Sequence, residues 1–342
     1  MRERLLEWLV CPLCSEELEL EISLQEGQEI IEGTLQCLCG QIFPIIGGIP
    51  RMLHGVLKRN LIRVYPEFFQ RYPELAEETF VFQSDSIIVQ KQKTVDRFGY
   101  EWTRFDDYDC DNFKAFINPL PVNFLKGKLG LDIGCGAGRH ARQASERGAE
   151  MVCIDLSEAV DIAYKNNAGN DLIHVVQGDI YNLPFKRDNF QFIYSLGVLH
   201  HLPEPERGYQ ALIPLLSEGG VLFIWLYAYA PRKVALEILR SVSQKLSNNN
   251  IRCMAYICNL IDYGIFVNMY HLMCSIPFLG KLVKCDTFMR FKEYKEYGFR
   301  IGYIDWFDRL SAPTTNYYKK SEVTKWLTRS GLCDTKLLPV GD

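Results

Sequence analysis

The chain has 342 residues, of which 48% are hydrophobic and 23% charged, and its formal net charge is −4 at pH 7. This length exceeds one average domain, and the composition is typical of a soluble globular protein with a core of useful size. Because the net charge is slightly negative, no overall positive field draws the chain to nucleic acid or to an anionic membrane. The net charge does not exclude a local basic patch.

The N-terminal segment and the cysteines indicate the compartment. Glu7 interrupts the first apolar run and no small-residue cleavage site follows it, so we expect no signal peptide. The chain has 12 cysteines, of which four cluster in the first 40 residues while the others are scattered singly. This distribution favours a reducing, cytoplasmic location with one metal site over a disulfide framework.

The four clustered cysteines form two tight pairs, Cys11 with Cys14 and Cys37 with Cys39, on either side of a stretch that alternates and turns like a small hairpin. Zinc takes four soft ligands at tetrahedral corners, and two such knuckles supply them in a module too small to build its own core. Because thiolates fill all four positions, we expect Zn²⁺ to be structural.

The second cysteine pair is followed by Phe43-Pro44 and then by Gly48-Ile49-Pro50. In this order, the motifs of residues 8–53 resemble the zinc ribbon of the small activator protein that partners tRNA, rRNA and release-factor methyltransferases. We therefore assign residues 1–53 to a zinc-ribbon-like module. The family has C-x-x-C where this chain has C-x-C, so Cys37 is the shifted ligand, and a degenerate ribbon without metal is the alternative.

Residues 54–110 are predicted to form a linker and an N-terminal arm. Tyr65-Pro66 and Tyr72-Pro73 break the pattern, which predicts one or two short helices over residues 54–90. The segment Phe98–Phe105 then packs four aromatics into eight residues. It is interpreted either as a staple that holds the arm on the main domain or as a lid over a ligand pocket.

Residues 111–342 alternate short apolar runs with helical stretches, which predicts an α/β domain. Nearly continuous apolar runs suit the strands of a parallel sheet that is covered on both faces. We expect a doubly wound, mostly parallel sheet, in which ligands bind at the carboxyl ends of the strands. The predicted strands are Leu129–Ile133, Met151–Ile154, Ile173–Val176, Phe192–Leu196 and Val221–Tyr227.

A turn of the form D-x-G-x-G-x-G, from Asp132 to Gly138, ends the first of these strands and opens a helix. Its glycines let the backbone turn sharply and come close to a ligand. A dinucleotide site would require glycine at position 139, where Arg139 stands. The carboxylate of Asp132 would repel a pyrophosphate, whereas it suits the ammonium end of a methionine moiety.

Two further acids follow the next two strands. Asp155 is placed to accept hydrogen bonds from ribose hydroxyls, and Asp179 is placed to accept one from an adenine amino group. Each acid also has a structural alternative. Asp155 could cap the following helix together with Ser157, and Asp179 could sit in a turn. Three acids at three successive strand ends favour the cofactor interpretation.

Residues 129–227 resemble the class I S-adenosylmethionine (SAM)-dependent methyltransferases, in the branch that includes ubiquinone and menaquinone biosynthesis methyltransferases. The resemblance implies that SAM is the cofactor. It implies that Asp132 binds the methionine part, Asp155 the ribose and Asp179 the adenine. Apolar and glycine residues would line the same pocket. The implied cofactor-binding residues are Asp132, Gly134, Cys135, Gly136, Gly138, Asp155, Leu156, Asp179, Ile180, Leu196 and Gly197.

Methyl transfer from a sulfonium is an in-line displacement, so the protein mainly supplies proximity and alignment. A general base is needed only where the acceptor must first lose a proton. His200 and His201 follow the fourth strand and are the candidate catalytic residues, with Tyr227 and His140 as weaker candidates. In the alternative interpretation the two histidines orient their loop through backbone hydrogen bonds.

A helical cap is predicted at about residues 233–300, inserted after the fifth strand. Its second apolar stretch, residues 251–283, is long enough to raise the question of a membrane span, but polar residues and Pro277 interrupt it. We expect a lid over the acceptor pocket, and a surface that contacts membrane is the alternative.

Lys319–Ser330 is predicted to be a helix and Cys333–Val340 a sixth strand. Because the sequence ends there, either the sheet is one strand short or the chain was truncated.

The leading hypothesis is a methyltransferase for a small-molecule acceptor, such as the hydroxyl or amine of a metabolite, sugar, quinone, lipid or natural product. An RNA-modifying methyltransferase is the alternative, against which the net acidity argues. A SAM-binding scaffold that has lost catalysis is a third hypothesis, against which the intact glycines and acids argue. No protein partner follows from the sequence.

Overall fold

The structure is a computed structural model that describes residues 1–76, 86–105, 113–229, 234–276, 278 and 289–338. The chain divides into two compact units. The first comprises Met1–Thr103, Asp111–Tyr227 and Thr314–Asn316, and the second comprises Arg104–Cys110, Ala228–Pro313 and Tyr317–Asp342.

The first unit is built on one nine-stranded sheet of order β1-β2-β3-β4-β7-β6-β5-β8-β9. Strands β1 to β4 form an antiparallel meander, and β4 to β9 are parallel. The strands are β1 (Leu18–Glu26), β2 (Glu29–Cys37), β3 (Ile42–Ile46), β4 (Ile49–Met52), β5 (Leu129–Ile133), β6 (Glu150–Asp155), β7 (Ile173–Gly178), β8 (Phe190–Leu196) and β9 (Leu216–Trp225).

Seven α-helices accompany this sheet in the described part of the first unit. They are α1 (Gly55–Val64), α2 (Pro66–Arg71), α3 (Ser86–Arg104), α4 (Phe113–Phe116), α5 (Arg139–Ser145), α6 (Ala159–Asn166) and α7 (Pro205–Leu212). Proline supplies the first residue of α2 and α7, where a missing backbone N–H costs nothing. All six residues of β7 are buried, as the near-continuous apolar pattern of a covered parallel strand predicts.

The predicted doubly wound, mostly parallel sheet is confirmed. All five predicted strands form, although β9 begins at Leu216, five residues before the predicted start, and ends at Trp225. The predicted sixth strand, Cys333–Val340, is wrong for the residues that are described. Residues 333–338 are exposed and form no strand, and Asp334 has a φ of 52°, which is left-handed backbone that a strand does not accommodate.

The cysteine-rich module is continuous with the parallel sheet. Strand β4 pairs in parallel with β7, with Arg51 opposite Gln177 and Met52 opposite Gly178. The side chain of Arg51 is fully buried at this junction. It donates to Gln177 Oε1 at 3.1 Å, to the Ile46 carbonyl at 3.1 Å and to Asp161 Oδ1 on α6 at 2.6 Å.

The first ten residues attach the same module to the sheet at a second place. Leu9 forms an isolated antiparallel bridge with Phe185, and the Val10 amide donates to the Pro184 carbonyl at 3.0 Å. The Lys186 amide donates to the Trp8 carbonyl at 2.8 Å. Backbone hydrogen bonds therefore hold residues 8–10 beside the segment that follows β7.

The second unit contains the helices of the predicted cap. These are α8 (Val234–Ser243), α9 (Asn248–Ile261), a π-helical turn (Asp262–Val267), α10 (Asn268–Ser275), α11 (Met289–Ser311), which is interrupted at Gly298, and α12 (Lys320–Arg329). Helix α9 begins at a capped end, since the Ser247 side chain accepts a hydrogen bond from the Asn250 amide.

The packing within this unit depends on a few buried polar contacts between α11 and the preceding helices. Asn259 donates to the Phe299 carbonyl at 2.9 Å, and the Trp306 indole donates to Asp262 at 2.9 Å. The opposite face of α9 and α10 exposes apolar side chains, among them Leu260 and Leu272. Among the described residues, no helix is long and apolar enough to cross a membrane.

We predict that Arg51→Met lowers the free energy of unfolding of the first unit by about 3 kcal/mol, because Gln177 Oε1 and the Ile46 carbonyl lose a charged donor and the Asp161 carboxylate keeps, among the described residues, only its hydrogen bond from Tyr65. Arg51→Lys should cost less, since it keeps the charge but loses the planar fork. Chemical denaturation measures both variants.

Arg71→Ala is the control for this prediction. Arg71 forms an ion pair with Glu32 while more than half exposed, so its removal should cost less than about 1 kcal/mol. Equal losses for Arg51→Met and Arg71→Ala would contradict the role given to the buried junction.

Candidate active site and metal centre

The four predicted metal ligands come together at the two knuckles. The sulfur atoms of Cys11, Cys14, Cys37 and Cys39 all lie within 4.8 Å of one another. Cys11 Sγ is 3.7 Å from Cys39 Sγ, and Cys14 Sγ is 3.3 Å from Cys37 Sγ. Tetrahedral zinc with Zn–S bonds of about 2.3 Å separates its sulfur ligands by about 3.8 Å, so this cluster fits zinc.

The shortened knuckle still presents both of its thiols. The Gly40 amide donates to the Cys37 carbonyl, and the Cys37 amide donates to the Gln41 carbonyl, each at 2.9 Å. Gly40 has a φ of 86°, which tightens the turn after Cys39. The one-residue deletion relative to the C-x-x-C pattern is thus absorbed by the turn, and it does not displace Cys37 from the cluster.

The glycine-rich turn after β5 has the backbone that only glycine adopts easily. Gly134, Gly136 and Gly138 have φ values of 74°, 52° and 77°. A Cβ atom at Gly134 would lie 2.4 Å from the Val198 side chain, and one at Gly136 would lie 3.0 Å from the Trp102 indole. Replacing Gly134 or Gly136 would therefore strain the backbone and bring the new side chain against Val198 or Trp102.

Asp132, the first acid, lies at the end of β5 and is only 2% exposed. Tyr194 donates its hydroxyl to Asp132 Oδ2 at 3.1 Å. Burial raises the pKa of Asp132 to about 7, and this hydrogen bond only partly opposes that effect. A buried carboxylate with so high a pKa is stabilised in its ionised form by a bound cation, which suits the ammonium group of a methionine moiety.

Asp155, the second acid, ends β6 and links its own loop to the glycine-rich turn. Its Oδ2 accepts from the Gly136 amide at 3.1 Å, and its Oδ1 accepts from the Ser157 amide at 2.9 Å and from the Ser157 hydroxyl at 2.8 Å. The capping contact that the structural alternative predicts is therefore present. It does not use the full acceptor capacity of the carboxylate, so ribose hydroxyls remain possible donors.

Asp179, the third acid, follows β7 and is 2% exposed. Its Oδ1 accepts from the Tyr181 amide at 3.1 Å, and its backbone carbonyl accepts from Asn182 at 2.9 Å, so the predicted turn is also present. Its Oδ2 accepts from the ammonium of Lys91, which belongs to α3. The sequence analysis did not single out Lys91.

Helix α3 crosses the carboxyl edge of the central strands. Lys91 contacts the loop after β7, and Gly99 lies against Glu158 in the loop after β6. Trp102 lies against Gly136 in the loop after β5. Helix α3 thus crosses the loops after β7, β6 and β5, which is the order of these strands in the sheet.

The aromatic side chains at the end of α3 pack in two different places. Phe98 contacts His201 with a ring-centroid distance of 5.2 Å, and Trp102 covers the glycine-rich turn. Phe105 belongs to the second unit, where it packs edge-on against Tyr303 and Phe307. The positions of Phe98 and Trp102 therefore agree with the lid interpretation, whereas that of Phe105 agrees with the packing interpretation.

The two candidate catalytic histidines follow β8 and are both buried. Asn316 donates its backbone amide to the His200 carbonyl at 2.8 Å, which is the loop-orienting contact that the structural alternative predicts. The His200 ring lies 4.0 Å from that of Tyr227. His201 Nδ1 lies 2.8 Å from the Thr314 carbonyl, and because a carbonyl only accepts, Nδ1 carries the proton in the neutral ring and Nε2 has the lone pair.

The remaining predicted positions line or support the same edge. Cys135 is buried, with its Sγ 3.7 Å from the Gly136 carbonyl, and Leu196 packs on the core beneath the sheet edge. Leu156 packs against the cluster formed with α1 and α2. Ile180 is half-buried after Asp179, and Gly197 has a φ of 82° after β8.

His140 is less suited to proton transfer than the two histidines after β8. Its ring lies between Phe113 and Phe116, with centroid distances of 5.8 and 5.6 Å. Burial, together with the neighbouring Arg139 charge, lowers the pKa of His140 well below its ordinary value. The ring is therefore neutral and a poor base at physiological pH.

Two family models match separate parts of the chain. Residues 131–224 match the model described as methyltransferase domain, and residues 2–48 match the model of the Trm112p-like protein. Helices α1 to α3 and those of the second unit lie outside both matches. The matched segments contain the three acids at the strand ends, the glycine-rich turn and the four clustered cysteines.

Curated relatives match about a third of the chain. The chain is 31% identical over 115 residues to a ubiquinone biosynthesis O-methyltransferase of Coxiella burnetii, a match that covers 31% of this chain and 49% of that protein. It is 29% identical over 108 residues to a demethylmenaquinone methyltransferase of Clavibacter sepedonicus, covering 31% of this chain and 44% of that protein. The chain thus spans about half the length of the curated relatives it matches.

Among solved structures, an S-adenosylmethionine-dependent methyltransferase from Mesorhizobium loti is 28% identical to the matched part. The match covers 32% of this chain and 49% of that chain, with a TM-score of 0.29.

We predict that metal-replete protein contains a single zinc ion per chain, because the four thiols fit one tetrahedral site. Cys14→Ser should reduce the zinc content, whereas Cys253→Ser, at an exposed cysteine of the second unit, should leave it unchanged. Elemental analysis distinguishes these outcomes. Sub-stoichiometric zinc in the unmodified chain would show that the C-x-C knuckle does not hold the metal.

We predict that affinity for S-adenosylhomocysteine falls about tenfold between pH 8 and pH 6, because Asp132 must lose its proton, with a pKa of about 7, before it pairs with the ligand ammonium. The sign follows from a raised pKa: the competent, ionised form is depleted as the pH falls. Titration calorimetry at three pH values measures the slope. An equally steep slope in Asp132→Asn would exclude Asp132 as its source.

Proposed function

We propose that this chain, which joins a Trm112p-like zinc module to a class I methyltransferase domain, is a SAM-dependent methyltransferase. One observation carries the proposal. Three carboxylates, Asp132, Asp155 and Asp179, stand at the ends of three adjacent parallel strands around a glycine turn with positive φ values. That constellation matches a ligand with an ammonium group, a ribose and an adenine.

Each part of the cofactor has a proposed partner. Asp132 pairs with the ammonium, and the backbone at Gly134 and Gly136 approaches the methionine part, since a side chain at either place is excluded. Asp155 accepts from the ribose hydroxyls, and Asp179 with Ile180 holds the adenine. Cys135, Gly138, Leu156, Leu196 and Gly197 complete the pocket.

SAM supplies a methyl group on a positively charged sulfur, and the protein aligns the acceptor with it. The chain contributes by burying the site, since Trp102 covers the glycine-rich turn and Phe98 lies beside His201. Where the acceptor must lose a proton, His201 is the proposed base, because its Nε2 lone pair is fixed by the contact of Nδ1 with Thr314. His200, stacked on Tyr227, is the second candidate.

The proposed acceptor is a small molecule, and the names of the curated relatives favour a quinone or a related lipid over RNA. The helical insertion at about residues 233–300 is proposed to define this acceptor. Its exposed apolar side chains on α9 and α10 support a membrane contact as a further part of the proposal. A reducing, cytoplasmic location is proposed from the distribution of the cysteines, since four cluster in the first 40 residues and the others are scattered singly.

We predict that the chain binds S-adenosylhomocysteine with micromolar affinity and that Asp155→Ala weakens binding about tenfold or more, because hydrogen bonds to a charged group are lost. Asp155→Asn keeps the shape and should show an intermediate loss. Asp171→Ala, at an acid whose side chain is 82% exposed, is the control and should bind like the unmodified chain. Unchanged affinity in Asp155→Ala would refute the ribose assignment.

Labelled SAM, incubated with the chain and with metabolite, lipid and RNA extracts, tests the reaction itself. Label in the metabolite or lipid fraction supports the proposed acceptor class. Label in RNA alone would favour the RNA-modifying alternative. Binding of S-adenosylhomocysteine without transfer to any fraction would favour the scaffold.

A further inference from the structure

The ion pair between Lys91 and Asp179 lies at the adenine end of the proposed cofactor site. Both side chains are buried, with 10% and 2% of their surface exposed. The Lys91 ammonium also lies 4.3 Å from the centre of the Tyr181 ring, so a cation–π contact holds it in place. Two groups on one segment, the Asp179 carboxylate and the Tyr181 ring, therefore fix the position of this one charge.

Each carboxylate oxygen of Asp179 already accepts one hydrogen bond in this arrangement. Its Oδ1 is occupied by the Tyr181 amide, and its Oδ2 is occupied by Lys91. In the proposed cofactor site, the adenine amino group must donate to this carboxylate. The Lys91 ammonium is a stronger donor than a neutral amino group, because it carries a full charge.

The rest of α3 depends on the same contact. Lys91 is followed at helical spacing by Val95, Phe98 and Trp102, which form one face of α3. Val95 is 3% exposed, and the two aromatic residues cover the loops after β8 and β5. Lys91 is the charged member of an otherwise apolar face, at the end where that face meets Asp179.

We propose that Lys91 is a cofactor-site residue that competes with the adenine amino group for Asp179 and so sets the affinity for SAM. This inference rests on the proposed function, because it takes Asp179 as the adenine acceptor. Cofactor binding displaces the Lys91 ammonium into solvent and loosens the N-terminal end of α3 from the sheet edge. The ion pair thus opposes binding and keeps the site closed while no cofactor is bound.

Lys91→Met tests this proposal with little change in shape, because methionine keeps most of the apolar stem of lysine and removes only the competing charge. We expect Lys91→Met to bind S-adenosylhomocysteine on the order of tenfold more tightly at pH 8. Lys91→Gln, which keeps a neutral donor, should lie between it and the unmodified chain. Lys93→Met is the matched control, because Lys93 is exposed on the same helix, and its affinity should not change.

A double-mutant cycle with Asp179→Asn separates competition from a general loosening of α3. If Lys91 acts through Asp179, Lys91→Met tightens binding in the unmodified background and has little effect when Asp179→Asn is already present. A gain of the same size in both backgrounds would contradict competition for Asp179. Titration calorimetry gives the four affinities, and thermal unfolding verifies that each variant is folded.

The results distinguish this inference from the proposed function. If the unmodified chain binds S-adenosylhomocysteine and Lys91→Met binds it equally or more weakly, the inference is overturned and the proposed function stands. If neither the unmodified chain nor Lys91→Met binds it, the proposed function fails. Binding that appears only in Lys91→Met would support both.

Discussion

The parallel pairing of β4 with β7, closed by the buried guanidinium of Arg51, determines how the first unit is organised. A four-stranded cysteine-rich meander has two open edges, and β4 satisfies one of them by joining a buried parallel strand. Burying a guanidinium is costly unless it is paired and fully hydrogen-bonded. The two terminal nitrogens of Arg51 meet that condition through Gln177, Ile46 and Asp161, and the guanidinium lies 4.5 Å from the Tyr65 ring. Its buried Nε has no hydrogen-bond partner among the described residues.

This junction also determines where the N-terminal arm begins. Met52 pairs with Gly178, so the chain leaves β4 beside the strand whose next residue is Asp179. Helices α1 and α2 pack their apolar residues Leu57, Leu61, Phe68 and Phe69 into one cluster next to this strand edge. Helix α3 then passes over the ends of β7, β6 and β5. The zinc module and the cover of the proposed cofactor site are therefore successive parts of one path.

The sequence predicted those features that depend on local rules. The glycines of the turn are needed for positive φ values, and the strand-end acids follow from the apolar runs before them, so both could be found without a structure. The four cysteines could be assigned from their spacing, including the shifted Cys37. The strand predicted at Cys333–Val340 was wrong over its described residues, 333–338, because the left-handed backbone at Asp334 and the lack of a partner strand there do not follow from the residue pattern.

Features that depend on long-range pairing could not be predicted. Arg51 reads as an ordinary surface arginine next to a strand, and only the parallel register with Gln177 buries it. Lys91 lies 88 residues from Asp179, and no local pattern connects them. A signal existed for the helix face, since Lys91, Val95, Phe98 and Trp102 recur at helical spacing, but periodicity does not reveal which surface that face covers.

Hydrogen exchange of the backbone amides, with and without zinc, tests most directly whether the cysteine-rich module and the parallel sheet are one structural unit. The account predicts that removing zinc with a chelator reduces protection in β4 and also in β7, Ile173–Gly178, because β4 hydrogen-bonds to β7 and Arg51 reaches α6. Loss of protection confined to residues 1–53, with β7 unchanged, would contradict it and show two independent modules.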